Sequence, residues 1–75
     1  MRYQTDQWVI YDPYRDNAVL SKPKRAVILY VYKESDRDRY YTRGYDYEIY
    51  IDEGSGIHRK AKEKDLYPID EAEKK

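Results

Sequence analysis

The chain has no cysteine and no phenylalanine. Without cysteine there are no disulfides, no thiolate zinc sites and no cysteine nucleophile. There is one histidine and no net charge, since 15 cations balance 15 carboxylates. A lone histidine without cysteine makes no metal constellation. A balanced chain has no global field to draw in a polyanion. No apolar run approaches the roughly 20 residues of a membrane span, and no apolar stretch follows the polar start Met1-Arg2-Tyr3-Gln4-Thr5-Asp6. A soluble, cytoplasmic module is expected. Ile, Val and Leu number only 13 in 75 residues, below the roughly 20% that flags disorder when charge is also high. Zero net charge and twelve aromatics, eleven of them Tyr, argue for order instead. Below roughly 80 residues one apolar core is marginal, so Tyr is expected as a main core material.

Strand signals dominate the chain. Gln7-Trp8-Val9-Ile10-Tyr11 is β-branched and aromatic, and Asp12-Pro13 stops it. A long connection with Pro13 and Pro23 follows, and Val19 and Leu20 are expected to tuck it against the barrel. Ala26 to Tyr32 is seven residues without a charge, which reads as a central strand. Val27, Leu29 and Val31 are expected to face the core, with Ile28, Tyr30 and Tyr32 half exposed. Lys33 to Arg43 reads as a polar loop or mobile hairpin tip ending at Gly44. Tyr45, Tyr47, Ile49 and Ile51 then alternate with Asp46, Glu48, Tyr50 and Asp52. That is period two, with one apolar face and one mostly acidic face. Gly54-Ser55-Gly56 supplies a turn, and Ile57 to Lys62 returns as a hairpin strand. Glu63-Lys64-Asp65-Leu66 reads as a short helical turn. Tyr67-Pro68-Ile69 reads as a last edge strand.

Tyr47-Glu48-Ile49-Tyr50-Ile51-Asp52-Glu53-Gly54, a basic strand, then Lys64-Asp65-Leu66-Tyr67-Pro68-Ile69 resemble the small SH3-like barrels, and within them the Tudor and chromo-barrel branch. Matching residues fall in 45–69, so the resemblance speaks to fold. It implies an all-β, five-stranded, SH3-like (Tudor-like) barrel with strands near 7–11, 26–33, 45–52, 57–62 and 67–69. Residues 1–6 and the charged tail 70–75 are expected to be flexible. The long 12–24 connection and the 33–44 insertion depart from the pattern, where such domains place binding loops.

The chemistry-bearing residues are sparse. His58 lacks an orienting partner and a nucleophile, and Gly54-Ser55-Gly56 is too short for a nucleophile elbow. Asp36/Asp38 and Asp52/Glu53 lack the patterned loop of a calcium site. The glycines form no phosphate cradle. No enzyme, metal or cofactor is expected. Two surfaces stand out. Trp8, Tyr30, Tyr32 and Tyr50 form a candidate protein-binding patch, since Tyr and Trp bury area while keeping a polar handle. A methyl-lysine cage would need four placed rings, which one sequence does not specify. Arg37, Arg39, Tyr40, Tyr41 and Arg43, with Arg59, Lys60 and Lys62, form the alternative, a nucleic-acid contact in which Arg neutralises phosphate and Tyr stacks on bases. The first expectation is a regulatory or adaptor module that binds a partner protein as a monomer or weak homodimer. The alternative is a nucleic-acid-binding barrel.

Overall fold

A computed structural model describes residues 2–54 and 56–70. Five strands, β1 (Trp8–Tyr11), β2 (Lys24–Val31), β3 (Tyr47–Ile51), β4 (Ile57–Ala61) and β5 (Leu66–Tyr67), form one antiparallel sheet in the order β4-β3-β2-β1-β5. The sheet curls into a small half-barrel, so the all-β, five-stranded reading holds. A 3-10 turn, Glu63–Asp65, precedes β5, as expected at that position. The unpaired edges are β4 and β5. The last strand pairs Leu66 and Tyr67 back to Tyr11 and Ile10. Its position next to β1 is the long-range step that brings the two ends of the domain together.

The strict alternation in β3 survives intact. Tyr47, Ile49 and Ile51 are buried, while Glu48 and Tyr50 face the other way. Opposite them on β4 stand Ala61, Arg59 and Ile57, which therefore share the core-facing side. In β2 the expected face is corrected. Ala26 and Ile28 are fully buried, and Val27 and Leu29 are not. A register shift falls between Ile28 and Tyr30: Ile28 pairs with Ile49, and Tyr30 pairs with Glu48. One extra residue in β2 reverses the parity of the strand. After it, Val31 packs against the core and Tyr30 points outward. Simple alternation is wrong before this irregularity; after it, it holds for Tyr30 and Val31 but not for Tyr32, which is buried.

The core joins Val9, Ala26, Ile28, Ile49, Ile51, Ala61 and Leu66 to two tyrosines, Tyr3 and Tyr47. Residues 1–6 were expected to be flexible, yet Tyr3 is buried. Its ring meets Tyr47 edge to face at 5.7 Å. The Tyr3 N–H donates to the Tyr47 hydroxyl at 3.1 Å, and that hydroxyl donates to Glu63 Oε1 at 2.7 Å. The Arg2 N–H donates to the same carboxylate oxygen at 3.0 Å. The arm fills the core with the Tyr3 ring, whose hydroxyl donates to the Leu66 carbonyl at 3.4 Å, while the Tyr47 hydroxyl links Tyr3 to Glu63.

The 33–44 segment was expected to be a loop. It contains one helical turn, α1 (Glu34–Arg37). Asp36 organises it by accepting the Lys33 N–H at 3.0 Å and the Tyr30 hydroxyl at 3.1 Å. These bonds, the Lys33 amide first, hold the Asp36 carboxyl below the usual carboxylate value. The Thr42 hydroxyl donates to the Asp36 carbonyl and ties the far side of the loop to the same residue. Ser55 and residues 71–75, including most of the charged tail, lie outside the described residues.

Candidate functional site

The 12–24 connection is built around one buried carboxylate. Asp12 follows β1 and is almost inaccessible to solvent. Its Oδ1 accepts the N–H groups of Tyr14 at 3.1 Å and Lys22 at 3.4 Å, and its Oδ2 accepts the Ser21 hydroxyl. Its own N–H donates to the Asp65 carbonyl at 2.9 Å. The two ends of the loop are therefore clamped to one side chain, which is anchored in turn beside β5. Asn17 performs the same service at the tip. Its Oδ1 accepts the Val19 and Leu20 N–H groups at 3.0 and 3.1 Å. The Ser21 N–H donates to the Asn17 carbonyl at 2.8 Å. Asp and Asn are the residues that mimic backbone turns in this way. The result is a compact loop that is braced by its own polar groups.

That bracing overturns the expectation for Val19 and Leu20. They do not tuck in; they are 86% and 51% exposed. Beside them opens a cavity of about 570 Å³. Tyr14, Val19 and Leu20 line it from the loop, Tyr11 and Ile51 from β1 and β3, and Ile57 and Arg59 from β4. Lys22 and Lys24 border it where the loop returns. The size suits a bound side chain or small ligand. Apolar side chains held in water beside a cavity mark a contact surface more often than an isolated exposed residue does.

The charge around this cleft is one-sided. Among the described residues its only acidic lining residue is Asp12, whose oxygens are already taken up by the loop. Lys24 Nζ pairs with Glu53 Oε2 at 2.6 Å, but both side chains are well exposed. Such a pair contributes little and exchanges readily. Among the described residues, Lys22 and Arg59 are in no ion pair. Burial pushes the Tyr11 phenol pKa up, and the nearby Arg59 charge opposes that rise. The Asp65 carboxylate acts on the same phenol in the opposite sense and adds to the rise.

The expected aromatic patch divides. Trp8, Val27, Tyr50 and His58 lie in one cross-strand row, each opposite the next. Trp8 is exposed, with the Arg25 guanidinium 5.6 Å from its ring centroid. Tyr50 meets His58 edge to face at 5.2 Å. The Tyr50 ring also covers Gly56, where φ is +82° and any Cβ would overlap that ring. Only glycine satisfies both conditions there. Tyr30 and Tyr32 belong elsewhere. Their rings pair at 5.7 Å near α1, and Tyr32 is only 7% exposed. Tyr32 is therefore removed from the contact set.

The basic-aromatic set divides as well. Tyr40 and Tyr41 stand 87% and 78% exposed, with rings perpendicular at 5.4 Å. Arg39 and Arg43 flank them in the open. Arg37 is engaged with Asp46 at 3.2 Å. Lys62 lies 6.0 Å from the Tyr45 ring centroid, near the base of the loop. The strand cations do not form one face. Arg59 joins the core-facing row and the cleft, whereas Lys60 sits opposite Glu48 on the other side. Period two puts neighbours on opposite faces, and pairing with Ile49 turns Arg59 rather than Lys60 toward the core-facing side.

Sequence reasoning missed the cleft. Its signal was an Asp after a strand, followed by Asn and Ser within one proline-bounded loop. Among the described residues, no three His, Asp or Glu side chains gather as a metal-holding group, and no helix is long and apolar enough to cross a membrane. Comparison of the chain with protein-family models, with curated proteins and with solved structures finds no match.

Proposed function

We propose that this chain is a small non-enzymatic protein-interaction module, a regulatory or adaptor barrel of SH3-like kinship. One observation carries the reading: a loop braced by Asp12 and Asn17 holds Val19 and Leu20 in solvent at the mouth of a cavity. Preorganised apolar anchors reduce the ordering cost of association. The strand order, with β1 between β2 and β5, supports the kinship. Trp8 and Tyr50, on the outer side of the sheet, are a secondary contact. The test is a Val19→Ser, Leu20→Ser double variant. Both side chains are exposed, so stability should change by less than about 0.5 kcal/mol. Quantitative pull-downs from the native cell extract should show partner capture reduced by roughly tenfold or more, as expected for central apolar anchors. Equal capture by the variant would remove this surface from the reading.

A nucleic-acid contact is the second reading, favoured by the exposure of Tyr40 and Tyr41 beside Arg39 and Arg43. It predicts amide shifts at residues 39–43 when short mixed oligonucleotides are added at low salt. Binding should weaken steeply as salt rises. An Arg39→Ala, Arg43→Ala variant that binds as tightly as the parent would exclude this loop.

A further inference from the structure

We infer that the cleft binds a short acidic segment of a partner chain carrying a large apolar side chain. This rests on the interaction reading above and adds the chemistry of the ligand. Two observations converge on it. The cavity is lined by Leu20, Ile51 and Ile57 with the rings of Tyr11 and Tyr14, which suits an aliphatic or aromatic anchor. Its border carries Lys22, Lys24 and Arg59. Among the described residues the sole acidic one in the lining, Asp12, is buried and accepts three hydrogen bonds from its own loop, so it offers nothing to an incoming cation. A basic segment would meet three like charges, and such juxtaposition is a strong negative selector. An acidic one would gain Lys22 and Arg59 directly. It would displace the exposed Glu53 from Lys24 at small cost.

The backbone favours an extended ligand. Among the described residues β4 is an edge strand of the sheet, and its core-facing residues Ile57 and Arg59 both line the cavity. An extended segment laid along that edge places every second side chain over the cleft. Main-chain hydrogen bonds then supply affinity, and the pocket supplies specificity. The rings of Tyr11 and Tyr14 also offer stacking planes to a base, so a short oligonucleotide serves as the competing ligand in the test.

The test uses the full chain as bait for a phage-displayed library of random linear peptides. Recovered sequences are expected to place Asp or Glu beside a large apolar residue. Amide shifts on adding the recovered peptide should fall on Tyr14, Leu20, Lys22, Ile57 and Arg59. A Lys22→Glu, Arg59→Glu variant, with its fold checked by circular dichroism, should lose about tenfold or more in affinity, equivalent to about 1.4 kcal/mol. A Lys64→Glu variant, which reverses an exposed charge in the turn before β5 and away from the cleft lining, should bind as the parent does. The proposal falls if no peptide is enriched, if the enriched peptides are basic or uncharged, or if the shifts lie elsewhere. It also falls if the charge-reversed variant binds equally well, or if a short oligonucleotide takes the same amides more tightly. Failure here is distinct from failure of the interaction reading. Partner capture that still depends on Val19 and Leu20 would keep the module and discard only its acidic ligand.

Discussion

Asp12→Ala is expected to lower folding stability by about 2–4 kcal/mol and to release the loop between Pro13 and Lys22, because it removes the acceptor of three partly buried hydrogen bonds, each worth about 1 kcal/mol. The Tyr14 and Lys22 amides and the Ser21 hydroxyl all lose their acceptor together. A domain of 75 residues has roughly 4–11 kcal/mol of stability in total. The loss is therefore a large fraction of the whole. Urea denaturation measures it, and amide exchange at Tyr14 and Lys22 reports the loop directly. Asp12→Asn should cost less, since the amide oxygen still accepts one N–H and the Ser21 hydroxyl can turn to accept. Binding at the cleft should weaken in the alanine variant even under conditions where it remains folded. Unchanged exchange at both amides would show that the carboxylate does not hold the loop.

Alkaline pH should destabilise the domain through Tyr47. Burial pushes the phenol up to about 12, and the hydrogen bond it donates to Glu63 adds to the rise. In the unfolded chain the same phenol titrates near 10. Above that value the unfolded state sheds a proton that the folded state retains. Stability is therefore fully present below about pH 10 and is lost as pH rises toward about 12, by roughly 2–3 kcal/mol in all. Tyr11 and Tyr32 are also raised, burial being the largest cause for each, so their contributions have the same sign. Tyr47→Phe isolates the main one. It should cost about 1–2 kcal/mol at neutral pH, because the Tyr3 N–H loses its acceptor and Glu63 loses a donor. Between pH 10 and 11.5 it should lose stability less steeply than the parent, which urea titrations at several pH values would show. Parallel curves for the two proteins would contradict the assignment. Glu63 behaves in the opposite sense. The Tyr47 hydroxyl and then the Arg2 amide hold its carboxyl below 4.5. Its contribution is present above that value and is lost as pH falls through the lowered folded pKa.

Much of this architecture is legible where one face of a strand differs chemically from the other. Tyr47, Ile49 and Ile51 alternate with Asp46, Glu48 and Asp52, and no helix accommodates that pattern. The hairpin that follows, its glycine turn and the short turn before Leu66 all carry local signals. β2 is different because both of its faces are apolar. No local contrast tells Val27 from Ile28, and the register shift against β3 reverses the choice halfway along. The cleft was hidden for a related reason. Hydrophobicity alone sends Val19 and Leu20 inward, and only the clamps of Asp12 and Asn17 explain why they stay out.

Strand content, the acidic face of β3, the hairpin and the absence of thiol chemistry are therefore properties of the sequence by itself, since each depends on neighbours a few residues apart. Three features belong to tertiary structure. Tyr3 enters the core because Tyr47 and Leu66, far along the chain, receive its polar groups. Tyr32 is buried where its N–H donates to the Asp46 carbonyl, while Tyr30, two residues earlier, stays exposed with its hydroxyl on Asp36. Arg59 reaches the cleft while Lys60 does not, because pairing with Ile49 and Glu48 sets which side of the half-barrel each one faces. In each case the deciding partner is distant in sequence, so its influence exists only once the strands have paired.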